Sequence, residues 1–151
     1  MWRSLILAWA LWAAPAWALQ VNGDLAAVAA EAERLNVPVL VVFGASDCVY
    51  CRRLERDVLE PMLKLPPRER GVLVVEVHID DEGPLVWLDG ERTSGVALGE
   101  RFRVEFTPTV VLFSPAGEAL SRPLVGYNPQ FYESYLDAAI EDARARLQAS
   151  G

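Results

Sequence analysis

This chain is poor in the residues that hold metals and build disulfide frameworks. It has one histidine (His78), two cysteines (Cys48 and Cys51) and two methionines (Met1 and Met62). A structural zinc site wants about four ligands, and this set falls short. No methionine-rich or histidine-rich stretch is present to serve a copper carrier. Asp80-Asp81-Glu82-Gly83 lacks the spaced oxygen ligands of a calcium loop and reads as a solvated turn. Two cysteines allow a single bridge. Closing so short a loop removes little chain entropy, so a purely structural role is poorly motivated. Basic residues are in deficit: 14 Lys and Arg against 21 Asp and Glu give a net charge of −7. That disfavours nucleic acid as a partner and gives no attraction to an anionic membrane surface. There is no internal repeat and no linker that would split residues 19–151.

The N-terminal segment carries its own message. Met1-Trp2-Arg3 is a short basic start, Ser4 to Ala14 is almost wholly apolar, and Ala16-Trp17-Ala18 fits a small-x-small cleavage pattern. Residues 1–18 therefore read as a secretory signal peptide cut after Ala18. The alternative is a retained anchor, but the apolar run is shorter than the ~20 residues a spanning helix needs. Removing residues 1–18 takes away Arg3 and no acid, which shifts the charge to −8. It also takes away Trp2, Trp9, Trp12 and Trp17 and leaves Trp87. No cysteine follows the cleavage site directly, so a lipoprotein is not indicated.

The chain is organised around Cys48-Val49-Tyr50-Cys51. A β-branched apolar run, Val37 to Phe43, leads in, and a charged amphipathic segment, Arg52 to Glu60, leads out. The cysteines thus fall where a strand gives way to a helix, the context in which Cys-x-x-Cys reads as a redox pair. A helix N-terminus presents unpaired N–H groups and partial positive charge, which favour a thiolate. The thiolate is the nucleophile of thiol–disulfide exchange. Cys48 is the expected attacking sulfur; Cys51, almost a turn further in, is placed to resolve the mixed disulfide. Asp47 opposes ionisation of Cys48 by like charge, while the helix terminus and Arg52 or Arg53 favour it. A Cys48 pKa below the free value of ~8.5 is expected. Tyr50 is expected at the surface, as an aromatic contact for a partner or simply as a residue that faces solvent.

Periodicity fills in the rest. Leu25, Val28, Ala29, Ala32 and Leu35 make a helical stripe, with Asn22 or Asp24 as N-cap and Asn36 as its end. Val39 to Phe43 reads as a strand covered on both faces. Cys51, Leu54, Val58 and Met62 continue the second helix, which Pro61 is expected to end or kink; Pro66-Pro67 marks a loop. In the strand Gly71 to Ile79, Leu73, Val75, Val77 and Ile79 share one face, and Glu76 and His78 the other. His78 reads as a half-exposed strand residue rather than a base. Leu85 to Leu88 is ambiguous and ends at an Asp89-Gly90 turn. Ser94 is expected to cap a helix through Phe102. Thr107-Pro108 precedes an apolar strand, Val110 to Phe113, and Ser114 to Gly117 turns the chain so that Glu118 to Val125 pairs back. A last helix carries Phe131, Tyr132, Tyr135, Leu136, Ala139, Ile140, Ala143 and Leu147 as its stripe.

The order of elements, the Cys-x-x-Cys at a strand-to-helix junction and Thr107-Pro108 just before a strand together resemble the thioredoxin superfamily over nearly all of residues 20–148. The resemblance implies an α/β fold with a central mixed β-sheet flanked by helices. It implies a cis Pro108 beside the cysteines, with the Thr107 backbone pairing with a bound client. Within the superfamily the chain resembles the exported thioredoxins of sulfur-oxidation operons, the SoxW type. It departs from ordinary thioredoxin at Asp47, where Trp is usual, and at Val49-Tyr50, where Gly-Pro is usual. It departs again at Val42, where a buried Asp is thought to move protons for the inner cysteine; here water or Glu55 stands in for it, or the chain does without. The function implied is that of a periplasmic thiol–disulfide oxidoreductase acting as a monomeric reductant. Catalytic Cys48 and Cys51 form its redox disulfide, Val49, Tyr50, Thr107 and Pro108 contact the client, and no cofactor is needed. The implied partners are exported protein disulfides, a sulfur carrier or apocytochrome c among them, and a membrane electron donor of the CcdA or DsbD type. An oxidant or isomerase of the same fold, or a copper- or peptide-binding module, are the competing readings. A dedicated oxidase usually has a helical insertion and a His in the dipeptide, and neither appears.

Overall fold

A computed structural model describes residues 20, 21 and 23 to 150. The expected signal segment, residues 1–18, and Asn22 lie outside the described residues. The elements in order are β1 (Gln20–Val21), α1 (Leu25–Leu35), β2 (Val39–Gly44), α2 (Val49–Leu54), a π-helical turn (Glu55–Leu59), α3 (Glu60–Leu63) and α4 (Pro67–Arg70). There follow β3 (Leu73–His78), β4 (Pro84–Val86), β5 (Arg92–Ser94), α5 (Gly95–Arg101), β6 (Thr109–Phe113), β7 (Leu124–Val125) and α6 (Tyr132–Ala149).

Five strands form one sheet in the order β1-β3-β2-β6-β7. β2 runs parallel to β3 and antiparallel to β6, so the sheet is mixed, as expected. β2 lies at its centre and is buried along its whole length. Alternation along the strand divides the core in two. Val39, Val41 and Phe43 pack with α1, Trp87, Leu98 and Phe113 on one face. Leu40 and Val42 pack with Leu54, Val58, Leu59 and the α6 residues Leu136 and Ile140 on the other. Each such side chain taken fully out of water contributes about 1.5–3 kcal/mol, and this two-sided burial is why Val39 to Phe43 carries no polar residue.

The helix ends follow local chemistry. The Asp24 carboxylate accepts from the Ala27 N–H at 3.2 Å and caps α1. Asn36, at φ 53°, closes it in the left-handed region. The Ser94 hydroxyl caps α5 by accepting from the Ala97 N–H at 3.2 Å.

Several expectations need correction. Pro61 does not end the second helix, which runs on to Leu63. Its ring would collide with the carbonyl four residues back. The backbone widens just before it, and the Glu60 N–H bonds the Glu55 carbonyl, five residues earlier. The extra residue in that turn rotates the stripe, so Leu59 is buried beside Val58. Pro66-Pro67 opens the short helix α4, with Pro67 at a first-turn position that tolerates proline. Glu118 to Val125 pairs back only at Ala119 and along β7. On α6, Tyr132, Leu136, Ile140 and Ala143 are buried, whereas Phe131 and Tyr135 are exposed. The apolar rings of Phe131 and Tyr135 suggest a place on the stripe, but both stand outside the arc that faces the sheet.

The ambiguous stretch around Leu85 proves central. β4 and β5 form a small antiparallel hairpin outside the main sheet, and Trp87 follows β4 inward. Its ring lies 5.3 Å from Phe102 and 5.1 Å from Phe113, the latter edge-on, and Phe43 stands 5.6 Å from Phe102. Gly117, at φ 85°, passes beneath the indole, where a Cβ would come 3.1 Å from Nε1.

Candidate active site

The site forms where β2 ends and α2 begins. Cys48 is extended and acts as N-cap of α2: its Sγ accepts from the Cys51 N–H at 3.1 Å, and its carbonyl accepts from the Arg52 N–H at 3.2 Å. Cys48 and Cys51 are joined in a disulfide, with Cα atoms 5.2 Å apart. Both are buried, while Val49 and Tyr50 between them are more than half exposed. The bridge is therefore covered from within and framed from outside by two apolar side chains.

A second segment closes over the bridge. The Thr107–Pro108 peptide bond is cis. The Thr107 hydroxyl donates to Cys48 Sγ at 3.4 Å. The Pro108 carbonyl accepts from the Gly126 N–H at 2.7 Å, and the Thr109 hydroxyl donates to the Phe106 carbonyl at 2.7 Å. These bonds tie the Phe106–Thr109 segment to its own strand and to the chain leaving β7. Phe106 and Val125 are exposed here, at 66% and 62%. The four residues singled out with the cysteines, Val49, Tyr50, Thr107 and Pro108, thus come together around one sulfur pair. The Thr107 side chain, for which the sequence suggests no role, reaches the sulfur itself.

The loop before Cys48 is held from a distance. The Ser46 N–H donates to both oxygens of Asp80, at 3.1 and 3.0 Å. That bond to the ionised form keeps the Asp80 carboxyl below its ordinary range. Asp80 belongs to the stretch that reads as a solvated turn; its partner is 34 residues away in sequence, which no local pattern reveals. Asp47 is fully exposed and 4.0 Å from Arg52, a pairing weakened by water. Arg53 turns instead over the Tyr50 ring, 5.6 Å from its centroid.

Beneath the bridge lies a carboxylate that periodicity places correctly but does not single out. Glu76 is in the middle of β3 and only 8% exposed. It pairs in register with Val42, the position at which the resemblance implies a buried acid in ordinary thioredoxin. Its Oε1 is 3.3 Å from His78 Nε2, and His78 is half-buried, in line with its strand reading. Burial chiefly raises the Glu76 pKa above 4.5; His78 pulls it down, and the like charge of Glu55 pushes it up further. An acid inside an otherwise apolar strand is the one available signal.

The folded chain holds the Glu76 proton to a higher pH than the unfolded chain does. Stability should therefore fall as pH rises from about 4.5 toward the folded-state value, with no penalty below that range. Glu76→Gln removes the titration. In the oxidised protein its melting temperature relative to the parent should climb between pH 4 and 8, as thermal melts across that range would show. A difference independent of pH would refute the assignment.

A closed dithiol pair at a helix N-terminus, on a β1-β3-β2-β6-β7 sheet, defines a thiol–disulfide oxidoreductase. The chain belongs to the Thioredoxin-like domain family, whose profile matches residues 25–140. Among solved structures it is similar to a mutant thioredoxin from Halobacterium salinarum, at 24% identity over 83% of this chain and 89% of that one, with a TM-score of 0.55. It is also similar to the oxidised thioredoxin of Plasmodium falciparum (16% identity, 82% and 99% covered, TM-score 0.54). Mitochondrial thioredoxin 3 from Saccharomyces cerevisiae is a third (17%, 82% and 94%, TM-score 0.53). At these identities the likeness speaks for the fold. No curated protein matches the sequence. Among the described residues no helix is long and apolar enough to cross a membrane.

Proposed function

We propose that this protein is an exported, periplasmic reductant of protein disulfides, of the SoxW type. The observation that carries the reading is the Cys48–Cys51 bridge at the start of α2, with Cys48 Sγ accepting from the Cys51 N–H and the Thr107 hydroxyl. Two donors on that sulfur favour its thiolate once the bridge opens, because hydrogen bonds to the charged form lower a pKa. Cys48 then attacks a client disulfide in line with its two sulfurs, one client thiolate leaves, and a mixed disulfide forms. Cys51 attacks Cys48, the second client sulfur leaves, and the bridge closes again. Two electrons pass from the dithiol to the client, and no cofactor takes part. Val49, Tyr50 and the exposed Phe106 offer apolar contact to an extended client, whose backbone pairs at Thr107 beside Pro108.

The basic-then-apolar start of the chain supports export, and an oxidising compartment calls for a membrane donor of the CcdA or DsbD type to restore the dithiol. A sulfur-carrier protein is the favoured client, with apocytochrome c next, and the working form is a monomer. An equilibrium titration of residues 19–151 in thiol–disulfide buffers, read by thiol labelling, tests the direction of flow. A potential near −270 mV is expected for a reductant. A value near −120 mV would make the protein an oxidant, and failure to cycle would leave only a binding role.

A further inference from the structure

The exchange chemistry leaves one buried acid without a task. Cys51 can resolve a mixed disulfide only as a thiolate, so its proton must go to a base. Cys51 is 6% exposed, which limits direct access of water. Among the described residues the buried polar ones are Arg70, Glu76, Thr109 and Ser114, and of these Glu76 is the one carboxylate. Its placement is specific. Glu76 shares the face of the sheet on which Val42, Leu54 and the second helix pack. Gly44, at the end of β2, separates it from the bridge. A Cβ on Gly44 would come 2.5 Å from Glu76 Oε1 and 3.6 Å from Cys51 Sγ. Those two lengths limit the separation of oxygen and sulfur to about 6 Å, within the reach of one bridging water. The absent side chain is what lets the two groups share this space. On its other side Glu76 Oε1 meets His78 Nε2 at 3.3 Å, and the His78 side chain is 26% exposed.

We propose that Glu76 and His78 form a proton relay between Cys51 and solvent, with Gly44 kept free of a side chain so that the carboxylate reaches the sulfur. The inference rests on the exchange reading above. In the resolving step the Cys51 thiol gives its proton to the Glu76 carboxylate. The Cys51 sulfur bonds to Cys48, the bond from Cys48 to the client breaks, and the client sulfur leaves with the electron pair. Glu76 passes its proton on to the His78 imidazole, 3.3 Å away, and His78 releases one to water. When a donor reduces the bridge, the same path runs inward and protonates Cys51 as it leaves. The charged groups facing Glu76 suit this traffic. His78 on β3 and Glu55 on the π-helical turn act on it with opposite sign, and His78 also lowers the pKa of Asp80 beyond it. Burial and Glu55 raise the hold of the carboxyl on that proton, and His78 lowers it.

The test uses the reduced protein and an aromatic disulfide that releases a coloured thiolate, followed by stopped flow. Attack by Cys48 releases the first equivalent and attack by Cys51 the second, so the two steps are read in one trace. In Glu76→Gln the second phase should slow by about 10-fold or more at pH 7, with the first phase changed less than about two-fold. Gly44→Ala, which pushes the carboxylate away but keeps it, should slow the same phase, and Glu76→Asp should recover part of the rate. His78→Gln should slow it by a smaller factor. A second phase unchanged in Glu76→Gln, or both phases slowed alike in a variant whose melting temperature is preserved, would overturn the relay. An unchanged second phase in His78→Gln alone would overturn its two-residue form. A parent protein that never releases the second equivalent would defeat the exchange reading, and the relay with it.

Discussion

Cys51→Ser will accumulate covalent mixed disulfides with client proteins, and Cys48→Ser will form none. Steady-state reduction of a protein disulfide should fall by about 10³-fold or more in either variant, because the two sulfurs act as one unit and neither half-reaction turns over alone. The asymmetry of trapping tests the assignment of roles. Cys48 Sγ accepts from the Cys51 N–H and from the Thr107 hydroxyl, so Cys48 has the donors that stabilise a thiolate. Non-reducing electrophoresis of each variant after exposure to oxidised client proteins reads the outcome directly. If Cys48→Ser traps clients and Cys51→Ser does not, attacking and resolving sulfurs are exchanged. If neither does, the bridge is not a redox pair.

Trp87→Ala should destabilise the oxidised protein by about 3–5 kcal/mol, a large share of the roughly 5–15 kcal/mol that holds an ordinary domain together. The side chain is fully buried and touches Phe102 and Phe113, which in turn pack with Phe43 on the central strand. The surrounding rings belong to three different segments and cannot collapse together into the space left behind. Urea unfolding followed by circular dichroism would show it. Among the described residues the indole N–H meets no acceptor, so some of the packing gain is already offset, and Trp87→Phe should cost far less than Trp87→Ala. A loss below about 1 kcal/mol for Trp87→Ala, a surface-like value, would mean that Trp87 does not anchor this half of the core.

Much of this protein is written in short-range patterns. The uninterrupted run Val39 to Phe43 identifies a strand covered on both faces, because only a central strand needs apolar residues at every position. Cys48 and Cys51 follow it after the short stretch Gly44 to Asp47, so their place at a helix N-terminus comes from the order of residues alone. Ser94, Asp24 and Asn36 mark helix ends because a capping oxygen or a left-handed residue acts within a few positions of itself. The pairing of Cys-x-x-Cys with Thr107-Pro108 points to the right family, which the domain match bears out.

What tertiary structure alone decided has a common cause: the partners are distant in sequence. Glu76 reads as a strand residue until β3 is set beside β2 and Gly44 opens the way to Cys51. Asp80 reads as part of a solvated turn until Ser46 arrives from 34 residues away. Trp87 sits in a stretch with no clear period, and its importance comes from the phenylalanines that three other segments bring together. Pro61 reads as the place where the helix ends or kinks, and a widened turn carries the backbone past it. Local chemistry sets where strands and helices begin and what each face can bury. Which buried groups become neighbours depends on how the faces stack, and on this chain that stacking puts an acid under the resolving cysteine.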